Sequence, residues 1–284
     1  VLIAILGGLG AAVTWSVSTL CSARSSRILD PWSVVGWMML FGLLLAAPIA
    51  LLQGVPSMTK DSAGLWLALA GVGNVTGLLL EYAALKIGKT ALVVPIVSTE
   101  GAMAAVIAFA AGEQMPSGVL VCLAVIVVGI VLSSLPPDSG LASDGWRHSR
   151  PIVLAIASTL AFGGSLYAAG RAGQVLPGAW IAVAARTVGV PAITIPLAVT
   201  GRLRLNREAL PLVVAAGLCE VLGFYAYAAG GRHDIAVAAV LSSQFGTISV
   251  VFSWVVLHER LSRVQMLGVV AVISGVAALS ALSL

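Results

Sequence analysis

Charged side chains are scarce in this chain: Asp, Glu, Lys and Arg make up 9% of 284 residues, where a soluble domain carries about 25%. That scarcity leaves too little polar surface for a water-exposed globule. The three cysteines, Cys21, Cys122 and Cys219, are isolated and form no C-x-x-C pair, so neither a disulfide framework nor a metal site is indicated. There is no H-E-x-x-H, no aspartate-rich pair within an apolar run and no Walker A glycine loop. A zinc hydrolase and direct drive by ATP within the chain are therefore excluded. A membrane-embedded enzyme acting on lipid remains an alternative without the clustered carboxylates or histidines it needs. A channel is another, without a visible filter or ring of like polar groups. The expectation is no catalytic residue, no metal and no cofactor.

What is present is apolar sequence. The chain is 60% hydrophobic with a mean hydropathy of +1.07. An α-helix needs about 20 such residues to cross a bilayer core of about 30 Å. Ten runs of that kind occupy about 1–20, 33–52, 63–85, 91–111, 118–135, 151–170, 179–199, 209–230, 235–257 and 264–282. The predicted fold class is an all-α integral membrane protein of ten transmembrane helices. The chain opens on Val1, and its native start is expected upstream. The first run has no basic leader or small-residue cleavage site, so it is expected to belong to the fold and not to a signal peptide. Residues 136–150, rich in Pro, Ser and Asp, read as a linker between a five-helix half over 1–135 and another over 151–284.

The halves repeat. A shift of 146 residues superposes Pro31 on Pro177, Gly71 on Gly217, Asn74 on Glu220, Gly77 on Gly223 and Glu113 on Glu259. A shift of 147 superposes Trp15 on Phe162, Ser18 on Ser165 and Arg24 on Arg171. Five spans is an odd number, so the second half must enter the membrane with opposite polarity. Such inverted repeats are an architecture of secondary transporters, with the binding site near the midplane between them.

Each half also closes with a short acidic turn and a glycine-spaced helix. In the first this is Ala111-Gly112-Glu113-Gln114-Met115 followed by Gly129. In the second it is Leu257-His258-Glu259-Arg260-Leu261-Ser262 followed by Gln265, Gly268 and Gly275. With the ten spans and the duplication, these segments resemble the EamA type of the drug/metabolite transporter superfamily over the whole chain. The resemblance implies a multi-pass carrier, often an exporter of amino acids or related amphipathic metabolites. Its partners would be a small-molecule substrate and the lipid bilayer, with no nucleic acid, and the carrier would be a monomer in the inner cell membrane. The family usually has a proline thirteen residues before the turn glutamate, where this chain has Glu100 and Gly246. Apart from the resemblance, Ser262 and Gln265 have capping-box spacing, and both turn glutamates read as charges stabilised beside helix starts.

Polar groups at membrane depth are the remaining signal. An ionised side chain there costs about 2.5–3.5 kcal/mol on insertion scales, so it faces the bundle interior and often serves function. Asn74, Glu100, Arg186 and Glu220 fall at such depth, with Glu81 and Gln244 as weaker cases. A buried ion pair of Arg186 with Glu100 or Glu220 that only fastens helices explains them equally well. Trp15 and Phe162, equivalent in the repeat, with Ser18 and Tyr82, complete the predicted substrate-binding set: Trp15, Ser18, Asn74, Tyr82, Glu100, Phe162, Arg186, Glu220 and Gln244. Glu100 is in addition the proton-coupling candidate. Trp32, Trp37, Trp66 and Trp180 lie near span ends, as an interfacial belt requires. Eleven of the fifteen basic residues fall in odd-numbered loops, three in even ones and Arg186 within a span. The positive-inside rule then puts the odd loops in the cytoplasm and both termini outside.

Overall fold

The computed structural model describes residues 2–26, 28–57, 62–87, 93, 96–113, 116–134, 149–248 and 262–281, and among these every regular element is helical. The central stretch 135–148 and the second acidic turn with Glu259 lie outside the described residues, as does the Gln265 side chain. The first half contains α1 (Leu2–Ser25), α2 (Pro31–Leu52), α3 (Ala63–Ile87), α4 (Glu100–Ala110) and α5 (Ser117–Ser134). The second contains α6 (Ser149–Gly173), α7 (Gly178–Gly189), α8 (Ile195–Val199), α9 (Leu210–Gly231), α10 (Ile235–Ser242) and α11 (Arg263–Ala281). Six segments are long and apolar enough to span a bilayer: α1, α2, α3, α6, α9 and the α7–α8 run over Gly178–Val199. Shorter apolar helices, Glu100–Ala110, Ser117–Leu132, Ile235–Ile248 and Met266–Gly275, stand at the places of the other four predicted runs. The protein is thus a multi-pass membrane protein.

Local chemistry sets several boundaries. Asp30 caps α2 by accepting from the Ser33 N–H at 3.0 Å, and Pro31 occupies the first turn, where its missing N–H costs nothing. Asp234 caps α10 by accepting from the Val237 N–H at 2.9 Å. Between α7 and α8, Val190–Thr194 forms a π-helical turn containing Pro191, because proline cannot donate the α-helical hydrogen bond.

The acidic turn behaves differently from the expectation. Gly112 has φ +92°, its N–H donates to Phe109, and the Glu113 N–H donates to Ala108 at 3.1 Å. This left-handed closure finishes α4; Glu113 lies four residues before α5 begins. Partial burial raises the Glu113 carboxyl above its usual range, Arg171 opposes that shift, and Asp234 adds to it.

Two runs are broken at depth. Ser98 and Thr99 form a turn before α4, and Ser243 and Gln244 form one after α10, with helix resuming at Phe245. The breaks face each other, because Ser243 Oγ accepts from the Gly101 N–H at 2.7 Å and donates to the Ala239 carbonyl at 3.1 Å.

The helices pack across the halves. α1 lies against α9 and α10, while α6 lies against α3 and α4. α2 packs on α9 and α3 on α7; α2 meets α7, α4 meets α10, and α5 meets α11. Exchanging the halves turns this pairing pattern into itself. Close approach of small residues drives such packing where lipid removes any hydrophobic gain between helices. Large apolar side chains such as Leu6, Val13, Leu45 and Leu69 are instead exposed outward, where lipid would cover them.

Candidate functional site

A cavity of about 70 Å³ lies at the centre of this arrangement. One water needs about 10–15 Å³ by this measure, so the space admits a few waters or one small head group. It is drawn from both halves: Trp15 and Thr19 of α1, Asn74 and Glu81 of α3 and Glu100 of α4 meet Phe162 and Ser165 of α6 and Glu220 and Phe224 of α9. Val97 and Phe245, beside the two helix breaks, close it.

Helical spacing explains who is present. Asn74, Leu78 and Glu81 are separated by four and three residues and share one face of α3. Trp15 with Thr19, and Glu220 with Phe224, follow the same rule. The two aromatic walls rest on glycines of the opposite half. A Cβ on Gly223 would meet the Trp15 indole, and one on Gly77 would meet the Phe162 ring. Serines in equivalent places fasten the same contacts. Ser18 donates to the Ala216 carbonyl at 3.1 Å, and Ser165 donates to that of Ala70 at 2.7 Å.

Arg186 is 1% exposed and does not line the cavity. Its Nη2 lies 3.9 Å from Glu220 Oε1, its Nη1 donates to the Ala182 carbonyl at 3.1 Å, and its guanidinium stands 5.2 Å from the Phe224 ring centroid. Gly42 of α2 leaves room for this side chain; a Cβ there would stand 3.0 Å from Arg186 Nε. The Asn74 amide and the Ser18 hydroxyl also lie beside the Glu220 carboxyl. Trp15 Nε1 donates to the Glu220 main-chain carbonyl at 3.4 Å. The Glu81, Glu100 and Glu220 carboxyls act on one another electrostatically. Of these three carboxyls, Glu220 is the one shown paired with the guanidinium.

The family model of the EamA-like transporter family matches residues 2–135 and again 149–281. The chain belongs to the EamA-like transporter family. Members of the EamA-like family are transporters, not enzymes, so a small-molecule substrate and a bilayer setting follow from membership. None of the curated proteins searched matches this chain. A crystal structure 18% identical in sequence has a TM-score of 0.77 and covers 98% of this chain and 96% of its own. At that identity the likeness concerns the fold alone.

Of the residues predicted for the site in this EamA-like chain, Trp15, Asn74, Glu100, Phe162 and Glu220 line the cavity together. Ser18 and Arg186 are not among its lining residues; Ser18 lies beside Glu220 and Arg186 is ion-paired with it. Tyr82 does not reach it. Tyr82 lines a separate apolar pocket of about 370 Å³ with Trp32, Val35 and Leu154. That pocket has almost no polar group to fix a metabolite, and its walls suit a lipid chain. Gln244 sits in the break after α10, buried, with Nε2 lacking a hydrogen-bond partner. Phe224, Phe245 and Leu166 were not foreseen as lining. The four-residue step from Glu220 to Phe224 and from Phe162 to Leu166 is the signal that could have found two of them.

Proposed function

We propose that the protein is a secondary carrier that exports a small metabolite, an amino acid or related amphipathic compound, across the inner cell membrane. It acts as a monomer of ten spans, arranged as two inverted five-helix repeats over 1–135 and 151–284 joined by a linker at 136–150. The observation that carries this reading is a polar cavity lined by both halves at the level of the two helix breaks. Inverted repeats rock about such a site and expose it to either side in turn. The exchange-symmetric helix pairing, the equivalent serine bonds and the equivalent aromatic–glycine seats support the duplication.

At about 70 Å³ the cavity is smaller than the roughly 300–1,000 Å³ of a typical ligand pocket. A whole metabolite therefore needs this space to widen before it enters. Liposomes loaded with unlabelled amino acids or nucleosides provide the test. A carrier accelerates uptake of its own labelled substrate when that substrate is present inside. Flux that is linear in concentration and shows no such acceleration would exclude alternating access.

A further inference from the structure

The cavity's free valences are one-sided. The Asn74 side chain is 5% exposed, and its Oδ1 has no hydrogen-bond partner among the described residues. A carboxylate only accepts, so the amide NH2 group of Asn74 is the end turned to Glu220, and the oxygen is left without a partner on a residue that lines the cavity. Of the other donors along the wall two are already used, and the Thr19 hydroxyl, which can donate or accept, is not. The Trp15 indole N–H is given to the Glu220 carbonyl and the Ser165 hydroxyl to the Ala70 carbonyl. Glu81 and Glu100 add two more acceptor groups, and no lysine, arginine or histidine lines the space among the described residues. Arg186 is committed to Glu220 behind the wall. What remains is a set of acceptors, with the Thr19 hydroxyl, on a wall shared with the aromatic side chains of Trp15, Phe162 and Phe245. Aromatic faces attract cations, and a buried acceptor without a donor costs about 1–3 kcal/mol.

We propose that this cavity recognises a primary ammonium group, so that the transported solute is an amine held by its N–H donors, with no protein cation assigned to a carboxylate on it. The inference rests on the carrier reading and adds the charge class of its solute. Three N–H donors of an ammonium match Asn74 Oδ1 and the Glu81 and Glu100 carboxyls. A trimethylated nitrogen keeps the charge but has no donor to offer. A carboxylate or phosphate would find no protein cation on this wall among the described residues.

The experiment uses the purified full chain in detergent with three probes of equal length: n-hexylamine, N,N,N-trimethylhexylammonium and hexanoate. Calorimetry should show saturable hexylamine binding, at least tenfold weaker binding of the trimethyl compound, and none of hexanoate. Glu81→Gln and Asn74→Leu should each weaken hexylamine tenfold or more; if Asn74→Leu does not stay monodisperse, Glu81→Gln carries the comparison. No hexylamine binding, equal binding of either analogue, or unchanged binding in the folded variants would overturn the proposal. Hexylamine binding by a protein that exchanges no solute in liposomes supports the ammonium site and removes the carrier reading. Exchange of an anion by a protein blind to hexylamine does the reverse.

Discussion

Arg186 and Glu220 meet at 3.9 Å across α7 and α9, with the arginine 1% exposed. A guanidinium stays charged at any working pH, so removing it strands the glutamate. Removing one partner of a buried pair costs about 3–5 kcal/mol, while replacing both is often neutral. Arg186→Ala should therefore lower the thermal midpoint in detergent sharply. The Arg186→Ala, Glu220→Gln double variant should recover most of that loss. A double variant no more stable than Arg186→Ala alone would show that the pair is not what holds these helices.

Trp15 on Gly223 and Phe162 on Gly77 make a second prediction. Overfilling a packed site costs about 1–3 kcal/mol. Gly77→Ala should destabilise by that amount, and Phe162→Leu, which withdraws the ring, should restore part of it. The same holds for Gly223→Ala against the Trp15 indole. Unfolding followed by circular dichroism would read both. Two alanine variants as stable as the parent would mean the aromatic seats are loose.

The break after α10 supplies a third. Ser243 Oγ is the acceptor for the Gly101 N–H at the start of α4. Losing a cap costs about 0.5–2 kcal/mol. Ser243→Ala should show that loss and Ser243→Thr should largely avoid it, with faster amide exchange at Gly101 in the alanine variant only. Equal exchange in both variants would exclude the cap.

Much of this site is legible in the sequence because the duplication doubles each signal. Trp15 with Phe162, and Ser18 with Ser165, are equivalent in the repeat, and in the fold they occupy matching seats and make matching bonds. Glu81 and Tyr82 show where the reading falls short. They are neighbours, but successive residues on a helix point about 100° apart. Glu81 therefore reaches the cavity while Tyr82 turns to the apolar pocket. The sequence reading places Tyr82 in the site and Glu81 only as a weaker case, whereas the seven-residue step from Asn74 selects Glu81. The breaks at Ser98–Thr99 and Ser243–Gln244 had no local signal, because neither pair contains the glycine or proline that marks a turn. The two segments meet there, and Ser243 of one accepts from the Gly101 backbone N–H of the other.

Glu100 stands where the family usually has proline, 6% exposed, in the first turn of α4 and on the cavity wall. The charged groups acting on it are Glu81 of α3 and Glu220 of α9. Arg186 is placed on Glu220, so the permanent pairing that would hold Glu100 as a plain structural anion is with a different residue. A carboxyl in this position can give up its proton when a cationic group arrives and take one back when that group leaves. Glu100→Gln keeps the shape and the acceptor oxygen and removes the proton exchange. The variant should bind substrate more weakly, since one ammonium acceptor is changed. At saturating substrate it should perform one-for-one exchange across liposomes, while a pH gradient should no longer drive net accumulation. Wild-type protein in the same vesicles should concentrate substrate when the gradient is applied. A Glu100→Gln protein that concentrates substrate as the wild type does would assign the coupling elsewhere.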